Sequence, residues 1–252
     1  MKVFEKTKML TDAHMHYCPG CTHGIVHRIL AESIEELGLE EKCIGIAPVG
    51  CAVFAYNYFN CDMQEAAHGR APAVATGIKR CLPDRTVFVY QGDGDLASIG
   101  MAETVHAAAR GEKFTVIFIN NSIYGMTGGQ MAPTTLVGQK ATTCQSGRDP
   151  AVNGYPIRIC ELLATLDAPY YIERVSTQDV KHVLAAKKAI KKALKFQSEG
   201  RGYTFIEVLV SCPTNWHMRP VDALRFMAEE CTKTFPLGVF RDKSQEEGNA
   251  HA

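Results

Sequence analysis

Asp93 and Asn121 are a carboxylate and an amide placed where a divalent cation and its anion can be held. Gly92-Asp93-Gly94-Asp95 directly follows the apolar run Thr86–Tyr90, and Asn120-Asn121 directly follows a second run, Phe114–Ile119. One helix-length segment separates them, and Asn121 lies 28 residues beyond Asp93. Parallel strands joined by a helix end at the same sheet edge, where ligands of open α/β sheets bind. Asp93 can ligate Mg²⁺ directly, Asn121 through its side-chain oxygen, and the Ile123 carbonyl can add a third oxygen. Diphosphate oxygens and water would complete the near-octahedral shell that Mg²⁺ demands. Gly92 and Gly94 allow a tight turn close to a phosphate, and the helix expected from Ile99 points its N-terminus at the same edge, which favours an anion. No Gly-x-x-x-x-Gly-Lys-Ser/Thr run is present, so a nucleoside triphosphate site has no support.

The ten cysteines are the second chemical resource. Cys18-Pro19-Gly20-Cys21 is compatible with a redox pair, half a zinc site or half an iron–sulfur site. Its place at the start of a helix suits a reactive thiolate, but zinc requires a second close pair and none exists. An iron–sulfur cluster can draw thiolates from distant loops, and Cys51 and Cys212 both follow apolar strand runs. Cys61 competes with Cys51 for a third place, without the preceding Gly-rich turn. Cys43, Cys81, Cys144, Cys160 and Cys231 show no local pattern and read as ordinary core or surface positions. His14, His16 and His23 flank the Cys18–Cys21 pair and read as structural or exposed.

The elements that must position these groups alternate. Helices are expected over Ile25–Leu37, Ala66–Arg80 (Pro72 near its start), Ile99–Arg110 and Gln178–Gln197, the last with Val180, Val183, Leu184, Ile190 and Leu194 on its apolar side. Strands are expected over Cys43–Ala47, Thr86–Tyr90, Phe114–Ile119, Tyr170–Val175 and Tyr203–Val210. The five lysines from Lys187 to Lys195 read as a solvated face, with a basic docking patch as the alternative. Residues 122–157 are rich in Gly and Thr with little periodicity, and a loop of that length is usually functional or disordered. The fold class is therefore α/β, a parallel sheet with helices on both faces. One domain spans 1–240, and a polar tail, 241–252, is expected to fray.

Lys+Arg and Asp+Glu both number 27. That balance argues against a nucleic-acid partner and favours life in a complex. No apolar run approaches a membrane span, and the start lacks the apolar core of a secretory signal, so a cytoplasmic protein is expected.

The metal–diphosphate pattern resembles the thiamine diphosphate enzymes, whose signature is Gly-Asp-Gly, a helix-length gap, then Asn. The likeness is closer to one group. Cys18-Pro19-Gly20-Cys21, Gly50-Cys51, His68-Gly69-Arg70, Gly92-Asp93-Gly94-Asp95 and Asn121-Ser122-Ile123-Tyr124-Gly125-Met126-Thr127-Gly128-Gly129-Gln130 occur in this order. That series resembles the beta, thiamine diphosphate-binding subunit of the 2-oxoacid:ferredoxin oxidoreductases, from about residue 15 to about residue 217. The resemblance implies that Asp93, Asn121 and the Ile123 carbonyl bind Mg²⁺. It places Gly50, His68, Gly69, Gly92, Gly94, Asp95 and the Tyr124-Gly125-Met126-Thr127 turn near thiamine diphosphate, and it selects Cys18, Cys21, Cys51 and Cys212 as ligands of one [4Fe–4S] cluster. His68 and Arg70 are the candidates for a catalytic role.

The activity so implied is CoA-dependent oxidative decarboxylation of a 2-oxoacid to acyl-CoA and carbon dioxide, electrons passing through the cluster to ferredoxin. The glutamate that activates the cofactor would lie on the pyrimidine-binding domain of an alpha subunit. Gamma and ferredoxin-like delta subunits are further expected partners, and the isolated chain is expected to be inactive. Some relatives carry Lys where Gly128 stands, a cation suited to a distal carboxylate. Its absence, with the wider resemblance, favours 2-oxoisovalerate over 2-oxoglutarate or pyruvate, although Arg70 or Arg148 could supply a cation. Two other classes remain open: a thiamine diphosphate enzyme without a cluster, and an iron–sulfur electron-transfer or scaffold subunit without catalysis of its own.

Overall fold

Strands whose residues are buried throughout build the centre of the sheet, because both of their faces are covered. The computed structural model describes residues 5–250. Nine strands are formed among them: β1 (Cys43–Ala47), β2 (Asp62–Glu65), β3 (Thr86–Gly92), β4 (Thr115–Asn120), β5 (Ile123–Tyr124), β6 (Gln130–Met131), β7 (Tyr171–Ser176), β8 (Thr204–Leu209) and β9 (Gly238–Asp242). Seven make one sheet in the order β2-β1-β3-β4-β8-β7-β9, while β5 and β6 form a separate small hairpin. The pairs β1–β2, β1–β3, β3–β4, β4–β8 and β7–β8 are all parallel. The carboxyl ends of β1, β2, β3, β4 and β8 therefore open on one edge.

Two apolar layers sandwich the sheet. On one face the helices His23–Glu36 and Val180–Ser198 bury Val26, Leu30, Ile34, Ile190 and Leu194 against Phe88, Tyr90 and Ile206. On the other, the helices Ala71–Cys81, Met101–Ala109 and Ile159–Ala164 cover Val87, Val89, Val116, Phe118 and Phe205. Each such fully buried side chain contributes about 1.5–3 kcal/mol relative to exposure. A third cluster, including Ile123, Leu136, Leu209, Trp216 and Met227, lies beyond the carboxyl ends and walls the site.

The structure corrects several sequence expectations. The helix expected from Ala66 starts at Ala71, because β2 precedes it and Gly69 adopts a left-handed conformation, φ +77°, against the Gly100 backbone. β2 was unreadable because its polar residues carry no apolar alternation. The helix expected from Ile99 is preceded by a π-turn, Asp95–Ile99, so the helical backbone begins directly at the site. The sheet is not wholly parallel, since β9 runs antiparallel to β7. The boundary expected at residue 240 falls inside β9, and Lys243–Ala250 is helical; the last residues of the expected frayed tail, 251–252, lie outside the described residues. Val180 and Leu184 are exposed, and Ala186, Ala189 and Ala193 take their expected places beside Ile190 and Leu194. The lysine face is not free: Lys187 pairs with Glu32 and Glu36, Lys191 with Glu36, and Lys192 with Asp242.

Candidate active site

Five loops converge at the carboxyl edge. They enclose a cavity of about 270 Å³ lined by Gly50, Cys51, His68, Gly92, Asp93, Gly94, Asp95, Asn121, Ile123 and the turn Tyr124–Thr127, among others. A larger space of about 1040 Å³ lies between the helices His23–Glu36 and Val180–Ser198. Its charged groups are largely surface ion pairs such as Lys187–Glu32, so its volume does not mark the chemistry.

Asp93 ends β3 in a buried position. Its Oδ2 accepts from Thr134 Oγ1 at 2.6 Å and its Oδ1 from the Gly94 N–H at 2.9 Å. Burial pushes its carboxyl up to about 7, partly offset by these donors, and no cationic side chain is among the groups that offset it. A buried carboxylate without a counter-charge is unstable unless it is protonated or meets a cation. Asn121, at the end of β4, is 7% exposed. Its Oδ1 accepts from the Ile123 N–H at 3.2 Å, and its carbonyl accepts from Trp216 Nε1 at 3.0 Å. Asn120 is anchored to Glu207 at 2.8 Å, itself paired with the buried Arg174. The donor set is all oxygen, as a hard cation requires.

Asp95 has the opposite surroundings. It accepts from the Gln91 amide, the Gly69 N–H and His68 Nδ1. A carboxylate only accepts, so the proton of that last pair sits on Nδ1 and Nε2 is the ring's remaining nitrogen. Asp95 thus orients His68, which lines the cavity. Arg70, by contrast, is exposed, pairs with Glu103 and is not among the lining residues. Arg148 is likewise committed elsewhere and does not reach the cavity as a substrate cation. It is buried and donates to the carbonyls of Ala132, Pro133, Thr135, Asn153, Gly154 and Tyr155, holding the 131–157 loop together.

Gly92 faces open space where a side chain would stand, whereas a side chain at Gly94 would overlap the Tyr124 ring. The turn after Tyr124 is closed by the β5–β6 pairing and by Thr127 Oγ1 donating to Gln130 at 2.6 Å. Gly128 adopts φ +105° with nothing near its missing side chain, and Met126 is half exposed at the cavity rim. Among the described residues no lysine or arginine lines the cavity.

The cysteines divide by position. Cys21 and Cys18 sit in a loop tied to the end of β8, where Ser211 donates from its N–H to Thr22 Oγ1 at 3.1 Å and from its hydroxyl to the Gly20 carbonyl at 2.9 Å. That places the pair beside Cys212, and the turn after β1 brings up Cys51. Burial, opposed by the His23 N–H and aided by Cys212 and Cys18, pushes Cys21 up to about 12; burial does the same to Cys51, with Cys212, Cys21, Cys18 and Asp93 adding to it. Cys212 is raised by burial and relieved in part by hydrogen bonds from Asn215. Four thiols that repel one another as thiolates need a polycation to ionise together. Among the described residues no three His, Cys, Asp or Glu side chains converge on one ion, whereas the four cysteines of a cluster bind four separate irons. The thiols and the oxygen set therefore fit a cluster and a hard cation respectively.

Cys61 does not join them. It precedes β2 at the level of Cys43, as the Ile44–Asp62 register shows, and hydrogen-bonds with Cys43. Both sit at the amino end of β1, about 16 Å of strand away from the site edge. His23 is buried against Tyr90, and His16 packs on Tyr17, Phe54 and Tyr58, in line with structural roles; His14 is exposed. Sequence reasoning missed Thr134 and Asn215. Thr134 belongs to a loop with no periodic signal, and only tertiary contact brings it to Asp93. Asn215 stands three residues beyond Cys212, a spacing that a cap search could have flagged.

Residues 48–208 match the family described as "Thiamine pyrophosphate enzyme, C-terminal TPP binding domain". The chain is 56% identical over 244 residues to the ketoisovalerate oxidoreductase subunit VorA of Methanothermobacter thermautotrophicus, covering 97% of this chain and 51% of that protein. It thus spans about half the length of that relative. Against the 2-oxoglutarate synthase subunit KorB of Methanocaldococcus jannaschii the identity is 38% over 239 residues, covering 92% of this chain and 83% of that one. In fold the chain resembles a solved 2-oxoglutarate:ferredoxin oxidoreductase from Magnetococcus marinus with 2-oxoglutarate, coenzyme A and succinyl-CoA bound. The TM-score is 0.76 at 24% identity, over 96% of this chain and 86% of that one.

Proposed function

Since the chain belongs to the family of thiamine diphosphate-binding subunits of 2-oxoacid:ferredoxin oxidoreductases, we propose that it carries the diphosphate–metal half-site and the first electron acceptor of such an enzyme. The reaction is CoA-dependent oxidative decarboxylation of a 2-oxoacid, with 2-oxoisovalerate favoured. The observation that carries this reading is the meeting of two donor sets at one edge. A Cβ on Gly125, in the cofactor turn, would stand only 3.0 Å from Cys51 Sγ.

When bound, thiamine diphosphate supplies an electron sink for decarboxylation, Mg²⁺ neutralises its diphosphate, and a [4Fe–4S] cluster takes electrons singly. Asp93, Asn121 and the Ile123 carbonyl would hold Mg²⁺. Gly50 and Gly92 leave room for the diphosphate, Gly94 makes room for the Tyr124 ring, and Gly69 positions His68 through Asp95. Cys18, Cys21, Cys51 and Cys212 would hold the cluster. His68, kept in one tautomer by Asp95, can hold or pass a proton from Nε2 at the cavity wall. Tyr124, Gly125, Met126 and Thr127 shape the rim where the substrate side chain would lie.

The apolar Met126 and Val53 at that rim, and the absence of a lining lysine or arginine among the described residues, support an uncharged branched substrate over 2-oxoglutarate. The name of the VorA relative points the same way. Among the described residues the carboxylates lining the cavity are Asp93 and Asp95, both engaged in hydrogen bonds, which supports an activating glutamate supplied by an alpha subunit. Gamma and ferredoxin-like delta subunits would complete the complex, with ferredoxin as the electron acceptor in the cytoplasm.

Assaying the reconstituted complex with 2-oxoisovalerate, 2-oxoglutarate and pyruvate tests the substrate, and highest kcat/KM on 2-oxoisovalerate is expected. Turnover by the purified chain alone would contradict the divided site. Thiamine diphosphate binding without iron would turn the reading toward a cluster-free enzyme, and iron without thiamine diphosphate binding toward an electron-transfer subunit.

A further inference from the structure

One side chain joins the thiol set to the cofactor turn. Asn215 lies in the short helix Pro213–Trp216. Its amide nitrogen donates to the Gly125 carbonyl at 3.0 Å and points at Cys212 Sγ at 3.5 Å. An amide NH₂ carries two protons, so both acceptors are served at once. Gly129 leaves room for the oxygen end of the amide, since a Cβ there would stand only 3.1 Å from Asn215 Oδ1. The next residue acts in parallel: Trp216 Nε1 donates to the Asn121 carbonyl at 3.0 Å. The two neighbours thus grip the strand-end turn at Asn121 and Gly125, but only Asn215 also touches a thiol.

We propose that Asn215 is a positioning residue that sets how readily electrons enter the cluster at its Cys212 corner, and couples that readiness to the seating of the Tyr124–Thr127 turn. The inference rests on the reading of Cys18, Cys21, Cys51 and Cys212 as cluster ligands. Reduction adds negative charge that is shared with the thiolate sulfurs. A donor aimed at one sulfur stabilises the reduced state more than the oxidised one, and so raises the potential. Because the other proton of the same amide is held by Gly125, a shift of the turn moves the donor relative to the sulfur. Loss of the donor thus makes the potential more negative, and loss of the Gly125 bond loosens the cofactor turn.

The test is a spectroscopically monitored redox titration of the anaerobically purified complex carrying N215A, N215D or W216F. N215D keeps the shape of the side chain but cannot donate. Both Asn215 variants are expected to retain wild-type iron and sulfide, to show a more negative cluster potential, and to bind thiamine diphosphate several-fold more weakly. W216F removes the indole N–H from Asn121 without touching Cys212, so it should weaken thiamine diphosphate binding and leave the potential unmoved. Unchanged potentials in N215A and N215D would overturn the inference. Loss of iron from both would also overturn it, by making Asn215 a structural part of the cysteine loop. A wild-type complex without iron would instead bring down the parent reading, and this one with it.

Discussion

At the cofactor turn the polar groups have protein partners: Thr134 and Gly94 donate to Asp93, Ile123 to the Asn121 side chain, and Trp216 to the Asn121 carbonyl. The neighbouring thiols have fewer, Asn215 on Cys212 and the His23 N–H on Cys21, and burial, with their mutual repulsion, raises them. Shape is prepared at the first region, and only a cation's charge is wanting. At the second, burial disfavours the thiolate forms of Cys21, Cys51 and Cys212, and their mutual repulsion adds to it. The first should therefore respond to geometry and the second to metal supply.

The largest effects should separate the regions. Cys212→Ser or Cys51→Ser is expected to abolish iron retention and 2-oxoacid oxidation while thiamine diphosphate still binds, as read by metal analysis and calorimetry. Asp93→Asn should do the reverse, keeping iron and losing Mg²⁺-dependent cofactor binding by more than about 100-fold. The same substitution removes a buried, unpaired carboxyl, so the metal-free chain should gain up to about 4 kcal/mol above pH 7, seen as a higher Tm. A metal-free Asp93→Asn chain less stable than the parent would remove the idea of a waiting charge.

Thr134→Val tests geometry more gently, leaving the carboxylate and deleting one donor. Mg²⁺ affinity should fall by about 10–100-fold with iron unchanged. The pH dependence of stability sharpens the contrast further. Burial lowers His23 from 6.5 to about 3 and His27 well below 6.5. Their folded values are depressed, so their contribution is present above pH 6.5 and is lost as pH falls. Each contributes about 1.4 kcal/mol per pH unit below that point. Asp93 is raised, so in the metal-free chain it acts oppositely, losing stability as pH rises from 3.8 to about 7. Urea unfolding between about pH 6 and pH 5 should accordingly steepen in Asp93→Asn. Arg70→Ala, which breaks an exposed pair with Glu103 outside the cavity, should change stability by about 0.5 kcal/mol or less and leave kcat within about twofold, by steady-state assay.

What was legible in the sequence was what local chemistry writes. β3 and β4 are apolar enough to be read, and their ends carry Asp93 and Asn121. Four cysteines could be selected only by resemblance; the fold sets Cys51 after β1 at the site edge and Cys61 before β2 at the other. Tertiary structure wrote the rest. β2 and β9 take their shape from pairing with β1 and β7 rather than from an apolar pattern. Arg148 looks like a substrate cation until six carbonyls are seen to surround it. Thr134 and Asn215 are ordinary loop residues in the sequence and become specific only where the 131–157 loop and the Pro213–Trp216 helix close over the site.

Iron and acid-labile sulfide, measured per chain on anaerobically prepared protein and paired with a thiamine diphosphate titration of the same sample, test the joined site most directly. About four irons and four sulfides, lost in Cys212→Ser, together with Mg²⁺-dependent cofactor binding that is lost in Asp93→Asn, are predicted. A chain that binds thiamine diphosphate and holds no iron would contradict it.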